Sequence, residues 1–295
     1  MNTAVSATRR KSIVVWLLLC LLATMWGSSF LIMKKSLPAF TPVQIGALRI
    51  MSAGLVFLPL LIKHRKDYPA AKTKYFVLTG LLGYFFPAFL FALAGTRVNS
   101  SLVGALNSAT PLFVLVVGAL FFQQAIRVSQ LAGLVLGFGG SLMLILSAGK
   151  DGLSFNNPYA LLVIAASLMY GFNVNITGKH LNTINPVLLT GWTLIGVALM
   201  AGVVLFSTDF IQKINKANIV PLLLIILLGV VNSGIATIIF NYILQAASPV
   251  FASSVTYLIP IVATIMGFLD GEPISLLHYS GMSIILVGVY LINKK

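Results

Sequence analysis

Ten apolar runs, each about twenty residues long and almost free of charge, follow one another along the chain and leave few folds open to it. They cover roughly residues 13–33, 42–62, 75–95, 101–122, 128–148, 158–178, 186–206, 219–241, 249–269 and 275–292. A helix of that length crosses the ~30 Å hydrocarbon layer of a bilayer. The strict two-residue alternation of a membrane-barrel strand is missing from every run. Charged residues make up 8% of the 295 positions and hydrophobic ones 59%, whereas soluble domains carry about a quarter charged residues. A soluble fold has too little interior for that much apolar surface, so lipid must cover the rest. The expected class is an all-α integral membrane protein with ten transmembrane helices, each satisfying its own backbone polar groups.

Arg9, Arg10 and Lys11 before the first run resemble the start of a secretory signal. The run continues to Met33, too long for a signal core, and Leu17-Leu18-Leu19-Cys20 lacks the small residue before cysteine that lipoprotein cleavage needs. It therefore reads as a first span. Cys20 is the single cysteine, so an intrachain disulfide is excluded. With the N-terminus placed in the cytoplasm, twelve of the nineteen Lys and Arg residues fall inside and six outside, and Arg49 stays within a span. That excess favours cytoplasmic termini and a multi-pass inner-membrane protein. The net charge of +14 thus signals topology; it forms no basic-aromatic face for nucleic acid.

The two halves resemble each other. An offset of 144 pairs Trp26 with Tyr170, Gly27 with Gly171, Lys35 with Lys179 and Pro42 with Pro186. An offset of 149 pairs Gly80 with Gly229, Phe91 with Phe240 and Pro111 with Pro260, and one of 148 pairs Gln124 with Glu272, Gly133 with Gly281 and Gly140 with Gly288. The expected units are residues 1–148 and 149–295. Five spans per unit is an odd number, so the second unit enters the membrane upside down. Inverted repeats recur in alternating-access transporters, whose substrate site lies near the midplane between repeats.

Polar groups inside spans mark the faces turned away from lipid. Trp26 and Ser29 share a helix face, as do their counterparts Tyr170 and Asn173. Asn107 and Pro111 repeat that spacing on the fourth run, Ser253, Thr256 and Pro260 on the ninth, with Tyr257 beside them. Ser233, Thr237 and Asn241 form a polar row on the eighth run, and Tyr84 and Pro87 occupy the third. Together these residues outline a pathway for a small solute. For a single Ser or Thr, ordinary helix packing is the competing reading. Pro87, Pro111 and Pro260 weaken the helix ladder where a gate would bend, or fix a static kink. Arg49 is a charge within a span, hence a candidate for gating, coupling or substrate contact, with snorkelling to the interface as the alternative. Gly133, Gly137 and Ser141 permit close helix approach, inside the chain or in a homodimer.

No Asp or Glu falls in the middle of a run, which disfavours cationic substrates and a buried carboxylate proton relay. His64, His180 and His278 have no companions at metal-ligand spacing, and no phosphate-binding glycine loop occurs. Neither metal nor cofactor is expected, and enzymatic readings lack a nucleophile-base pair. What remains is a carrier of small neutral or zwitterionic metabolites such as amino acids. A non-transporting membrane enzyme or scaffold is the alternative from another class.

The stretch Trp26-Gly27-Ser28-Ser29-Phe30, Arg49 after Pro42, Ala105 to Pro111 followed by Gly133 and Gly140, and Pro260, Gly271-Glu272 and Gly281 through Gly288 resemble the drug/metabolite transporter superfamily, specifically its EamA-type members. The resemblance covers nearly the whole chain. It implies ten helices, both ends cytoplasmic, and export of amino acids, other metabolites or drugs. The sugar-phosphate and nucleotide-sugar exchangers of the same superfamily are a lesser expectation, because they need a cationic midplane site and only Arg49 qualifies. Gln123-Gln124 replaces the glycine-glutamate pair common in the first repeat, so a coupling role for that glutamate falls here on Glu272 alone.

Overall fold

The computed structural model describes residues 2–98, 100–148, 158–269 and 275–294, and these are helices joined by short turns, without a strand among them. In chain order the helices are α1 (Asn2–Ser36), α2 (Pro42–Lys63), α3 (Ala70–Gly95), α4 (Thr110–Phe122), α5 (Val128–Ala148), α6 (Ala160–Leu181), α7 (Pro186–Phe206), α8 (Lys216–Ala246), α9 (Pro249–Met266) and α10 (Leu276–Asn293). Eight are long and apolar enough to cross a membrane; the apolar stretch Ile13–Ser29 of α1 and helix α4 are shorter. A short helix, Ser100–Asn107, leads into α4 through a break at Ser108 and Ala109.

Proline sets several helix starts. Pro42, Pro186 and Pro249 each sit in a first turn, where a missing N–H costs nothing. Thr41 accepts from the Gln44 amide at 3.3 Å and Gln44 Oε1 accepts from the Thr41 amide at 2.9 Å, which closes the start of α2. Asn185 and Ser248 cap α7 and α9 in the same way. Pro111, read from sequence as mid-span, also lies in the first turn of its helix: the run breaks just before it, and α4 begins at Thr110. Pro260 does lie inside α9.

The outer surface is apolar. Val203, Leu120, Leu199 and Leu17 expose 74%, 72%, 67% and 65% of their area, more than water tolerates and what acyl chains require. The chain is a multi-pass membrane protein. Inside, α5 packs along α10 and α2 along α7; α1 lies against α8 and α9, and α6 against α3 and α4. Helix α2 touches the middle of α8, and α7 touches α3. If each helix is replaced by the one five places away, this set of contacts is unchanged.

Glycine permits the closest of these approaches, because helices in lipid associate by packing and not by an apolar transfer gain. A Cβ on Gly133 would stand 2.5 Å from the Gly288 carbonyl oxygen, and one on Gly140 would stand 2.8 Å from that of Gly281. Beside this seam Tyr257, fully buried, lays its ring against Gly137 and donates its hydroxyl to the Leu134 carbonyl at 3.2 Å.

Candidate functional site

Three segments leave α-helical geometry inside the helices. Leu81–Phe85 of α3, Leu228–Ile235 of α8 and Thr177–Leu181 of α6 wind as π-helix. Such turns are rare and collect at functional sites, since the wider turn frees a carbonyl and re-aims side chains. In α3 the cause is legible: Pro87 has no N–H for the Gly83 carbonyl. The offset of 149 carries 81–85 onto 230–234, within the π-turn of α8, so the two departures stand at matched places in the halves.

Around these turns the predicted residues gather. Trp26 Nε1 donates to the Asn232 carbonyl at 3.0 Å, and Asn232 Nδ2 donates back to the Met25 carbonyl, tying α1 to the π-turn of α8. The Trp26 ring lies 5.7 Å from that of Phe240. Its counterpart Tyr170 stacks on Phe91, with ring centres 6.0 Å apart. The offsets 144 and 149 map one aromatic pair onto the other. Asn173, also from α6, is buried opposite Gly83 of the other π-turn, where a Cβ would stand 2.5 Å from its Nδ2. The absent side chain at Gly83 is the space Asn173 fills.

Arg49 reaches the same region from α2. Its Nε donates to Ser233 Oγ at 2.6 Å, and its guanidinium lies within electrostatic range of the Tyr170 hydroxyl. Tyr84 stands with its hydroxyl beside buried Thr237 and within range of Tyr170. Arg49, Tyr84, Tyr170, Asn173, Ser233 and Thr237 thus meet between α2, α3, α6 and α8, with Trp26 closing the α1 side. The two described carboxylates are in turns, far along the chain from this cluster. Asp67 pairs with His64 at 2.8 Å and Asp209 with Lys213 at 3.3 Å.

Other predicted residues serve local bonds. Ser29 and Thr256 donate to their own helices, at Trp26 and Ser253 carbonyls. Asn107 ends the short helix before α4, where its carbonyl accepts from Thr110 Oγ1 at 2.7 Å. Asn241 donates to Thr190 Oγ1 at 3.0 Å and so fastens α8 to α7. Tyr257 belongs to the α5–α9 packing already described, away from the cluster. Glu272 lies outside the described residues.

Three polar residues escaped the sequence reading. Asn232 neighbours Ser233, so an ideal helical row cannot hold both; the π-turn widens the arc and lets both face inward. Asn175, wholly buried, donates to the Val114 and Gly171 carbonyls at 2.9 and 2.8 Å, and its Oδ1 accepts from Gln124 Nε2 at 2.9 Å. The Gln124 in that contact was legible only as a departure from an expected pair. Among the described residues no three His, Cys, Asp or Glu side chains come together to hold a metal.

The model of the EamA-like transporter family matches this chain twice, over residues 14–146 and 157–294. An uncharacterized transporter of Archaeoglobus fulgidus is 26% identical over 289 residues, covering 95% of this chain and 99% of that protein. An uncharacterized inner membrane transporter of Escherichia coli, YedA, is 26% identical and covers 91% and 87%. A WAT1-related chloroplastic protein of Arabidopsis thaliana is 28% identical over 91% of this chain and 66% of its own length. A chain of known crystal structure superposes with a TM-score of 0.72 over 93% of this chain and 94% of its own, at 16% identity, which speaks for the fold alone.

Proposed function

The chain belongs to the EamA-like transporter family, and on that premise we propose that it is a secondary transporter exporting small neutral or zwitterionic metabolites, amino acids among them, by alternating access between two inverted five-helix repeats. The observation that carries the reading is the pair of matched aromatic contacts, Trp26 with Phe240 and Tyr170 with Phe91, each beside a π-turn and each built from one helix of either half. Alternating access needs two contact sets that exchange roles as one repeat rocks against the other. Helix contacts that survive exchange of the halves supply that condition, and the double match of the family model supports it.

In this reading α1, α3, α6 and α8, joined by α4 and α9, line the pathway, and the π-turns are the points that bend. The excess of basic residues on one side favours cytoplasmic termini, and the inner membrane is the location named for the relative from Escherichia coli.

The test is counterflow uptake of radiolabelled amino acids into proteoliposomes holding the purified chain, with Trp26→Ala and Asn107→Ala beside the wild type. Saturable uptake driven by an internal load, lost with Trp26→Ala, is the expected result. Uptake indifferent to the internal load would contradict carrier behaviour.

A further inference from the structure

We propose that Arg49 is the receiving group for a substrate carboxylate, so that the transported molecule is a monocarboxylate or an amino acid held by its carboxyl end. The inference rests on the transporter reading above and names the chemistry its site selects.

A guanidinium carries five N–H donors in a planar fork. Of these, Arg49 commits only Nε–H, to Ser233 Oγ at 2.6 Å. No second hydrogen bond from it is formed among the described residues, and the described carboxylates are engaged in turns. A charge inside a span is retained at a cost and calls for a partner. Here the described residues supply a neutral hydroxyl and the near hydroxyl of Tyr170, and no counter-ion. Arg49 is half-buried, so its side chain is not sealed off by packing.

The bond to Ser233 does more than satisfy one donor. It fixes the guanidinium plane against the π-turn of α8 and leaves the Nη pair as a free edge, the geometry that takes both oxygens of a carboxylate at once. One guanidinium, with no second cation beside it among the described residues, balances a single negative charge. A phosphate dianion would need more, which argues for carboxylate over phosphate monoester. Among the described residues no acidic side chain joins this cluster to ion-pair an amine. Selection therefore acts on the carboxyl end, while the rest of the solute meets the aromatic faces of Tyr170 and Trp26.

Matched compounds separate the possibilities. Proteoliposomes of the full chain are loaded with L-leucine, L-leucinamide, 3-phenylpropionate, 3-phenylpropionamide or glucose 6-phosphate, and counterflow of the same labelled compound is followed. The expected result is saturable exchange of leucine and phenylpropionate and none of their amides. Arg49→Gln should raise KM for the carboxylates about 10- to 100-fold, the range for a lost bond to a charged group. Arg49→Lys, which keeps the charge and loses the fork, should fall between. Ser233→Ala, which frees the guanidinium without removing it, should raise KM less than Arg49→Gln. Each variant is first checked for monodisperse elution and an unfolding midpoint near wild type. Exchange of the amides or of glucose 6-phosphate as well as of the carboxylates, or an unchanged KM in Arg49→Gln, overturns the assignment of Arg49 and leaves the transporter standing. Exchange of no compound in any class overturns both.

Discussion

Alanine at Gly133 tests the seam between α5 and α10. Its Cβ would stand 2.5 Å from the Gly288 carbonyl oxygen and 2.8 Å from the Ile292 amide nitrogen. Both atoms belong to helix backbone and cannot rotate aside, so the helices must part by about 1 Å to restore ordinary contact. At Gly288 the new Cβ would meet Gly137 N at 2.6 Å and Gly133 O at 2.7 Å. Parting the helices also loosens the Gly140–Gly281 crossing further along the seam, and in a bilayer lost packing is not offset by apolar transfer. Overpacking of this kind costs about 1–3 kcal/mol, equivalent to a fall of roughly 2–5 °C in Tm for a chain of this length. The decisive case is the double variant. Once the first Cβ has opened the seam, the second enters space already made, so the pair should cost less than the sum of the two. Thermal unfolding of the purified protein in one detergent, followed by intrinsic tryptophan fluorescence, measures all three. Strict additivity, or a Gly133→Ala Tm equal to wild type, would refute the backbone-to-backbone contact.

Two further changes probe local chemistry. Gln123 ends α4 with φ 56°, a left-handed conformation that costs a side-chain-bearing residue, so Gln123→Gly should stabilise by about 1 kcal/mol and raise Tm. An unchanged or lowered midpoint would count against that strain. Asn175→Ala removes two donors from buried carbonyls and the acceptor for Gln124, and should cost about 2–4 kcal/mol. In that background Gln124→Ala should add almost nothing; an equal effect in both backgrounds would show that the two amides act independently.

The helices were largely legible because lipid imposes a single rule, about twenty apolar residues per crossing, and the chain obeys it with few exceptions. Pro42 and Pro186 mark starts that the structure places at the same residues. The break before Pro111 was not legible, since a proline in an apolar run reads equally as a kink or as a new beginning. The cluster was half visible. Arg49, Ser233, Thr237, Tyr84, Tyr170 and Asn173 stood out as polar residues in apolar surroundings, and the structure brings them together. Asn232 and Asn175 did not, for one reason: helical periodicity assigns faces at 3.6 residues per turn, and a π-turn or a neighbouring buried face overrides it. Tyr257 shows the converse error of method, where a residue on a promising face turns inward to pack on Gly137.

The halves share a scaffold and differ in chemistry where they meet. A Cβ on Gly229 would approach the Arg49 carbonyl oxygen to 2.5 Å, and one on Gly80 would approach that of Thr193 to 3.1 Å. Offsets of 149 and 144 relate these contacts, so the backbone approach is repeated while arginine in one half faces threonine in the other. The same offsets set Ser233 against Tyr84, Trp26 against Tyr170 and Asn232 against Gly83. Under the alternating-access proposal, equivalent backbones let the contact sets exchange, and unequal side chains suit a metabolite that has no two-fold axis. A second arginine at position 193 would double an intramembrane charge, and the two would repel across a medium that screens poorly. Under the carboxylate proposal, one cation in one half is the arrangement that suits both the bilayer and an asymmetric, singly charged solute.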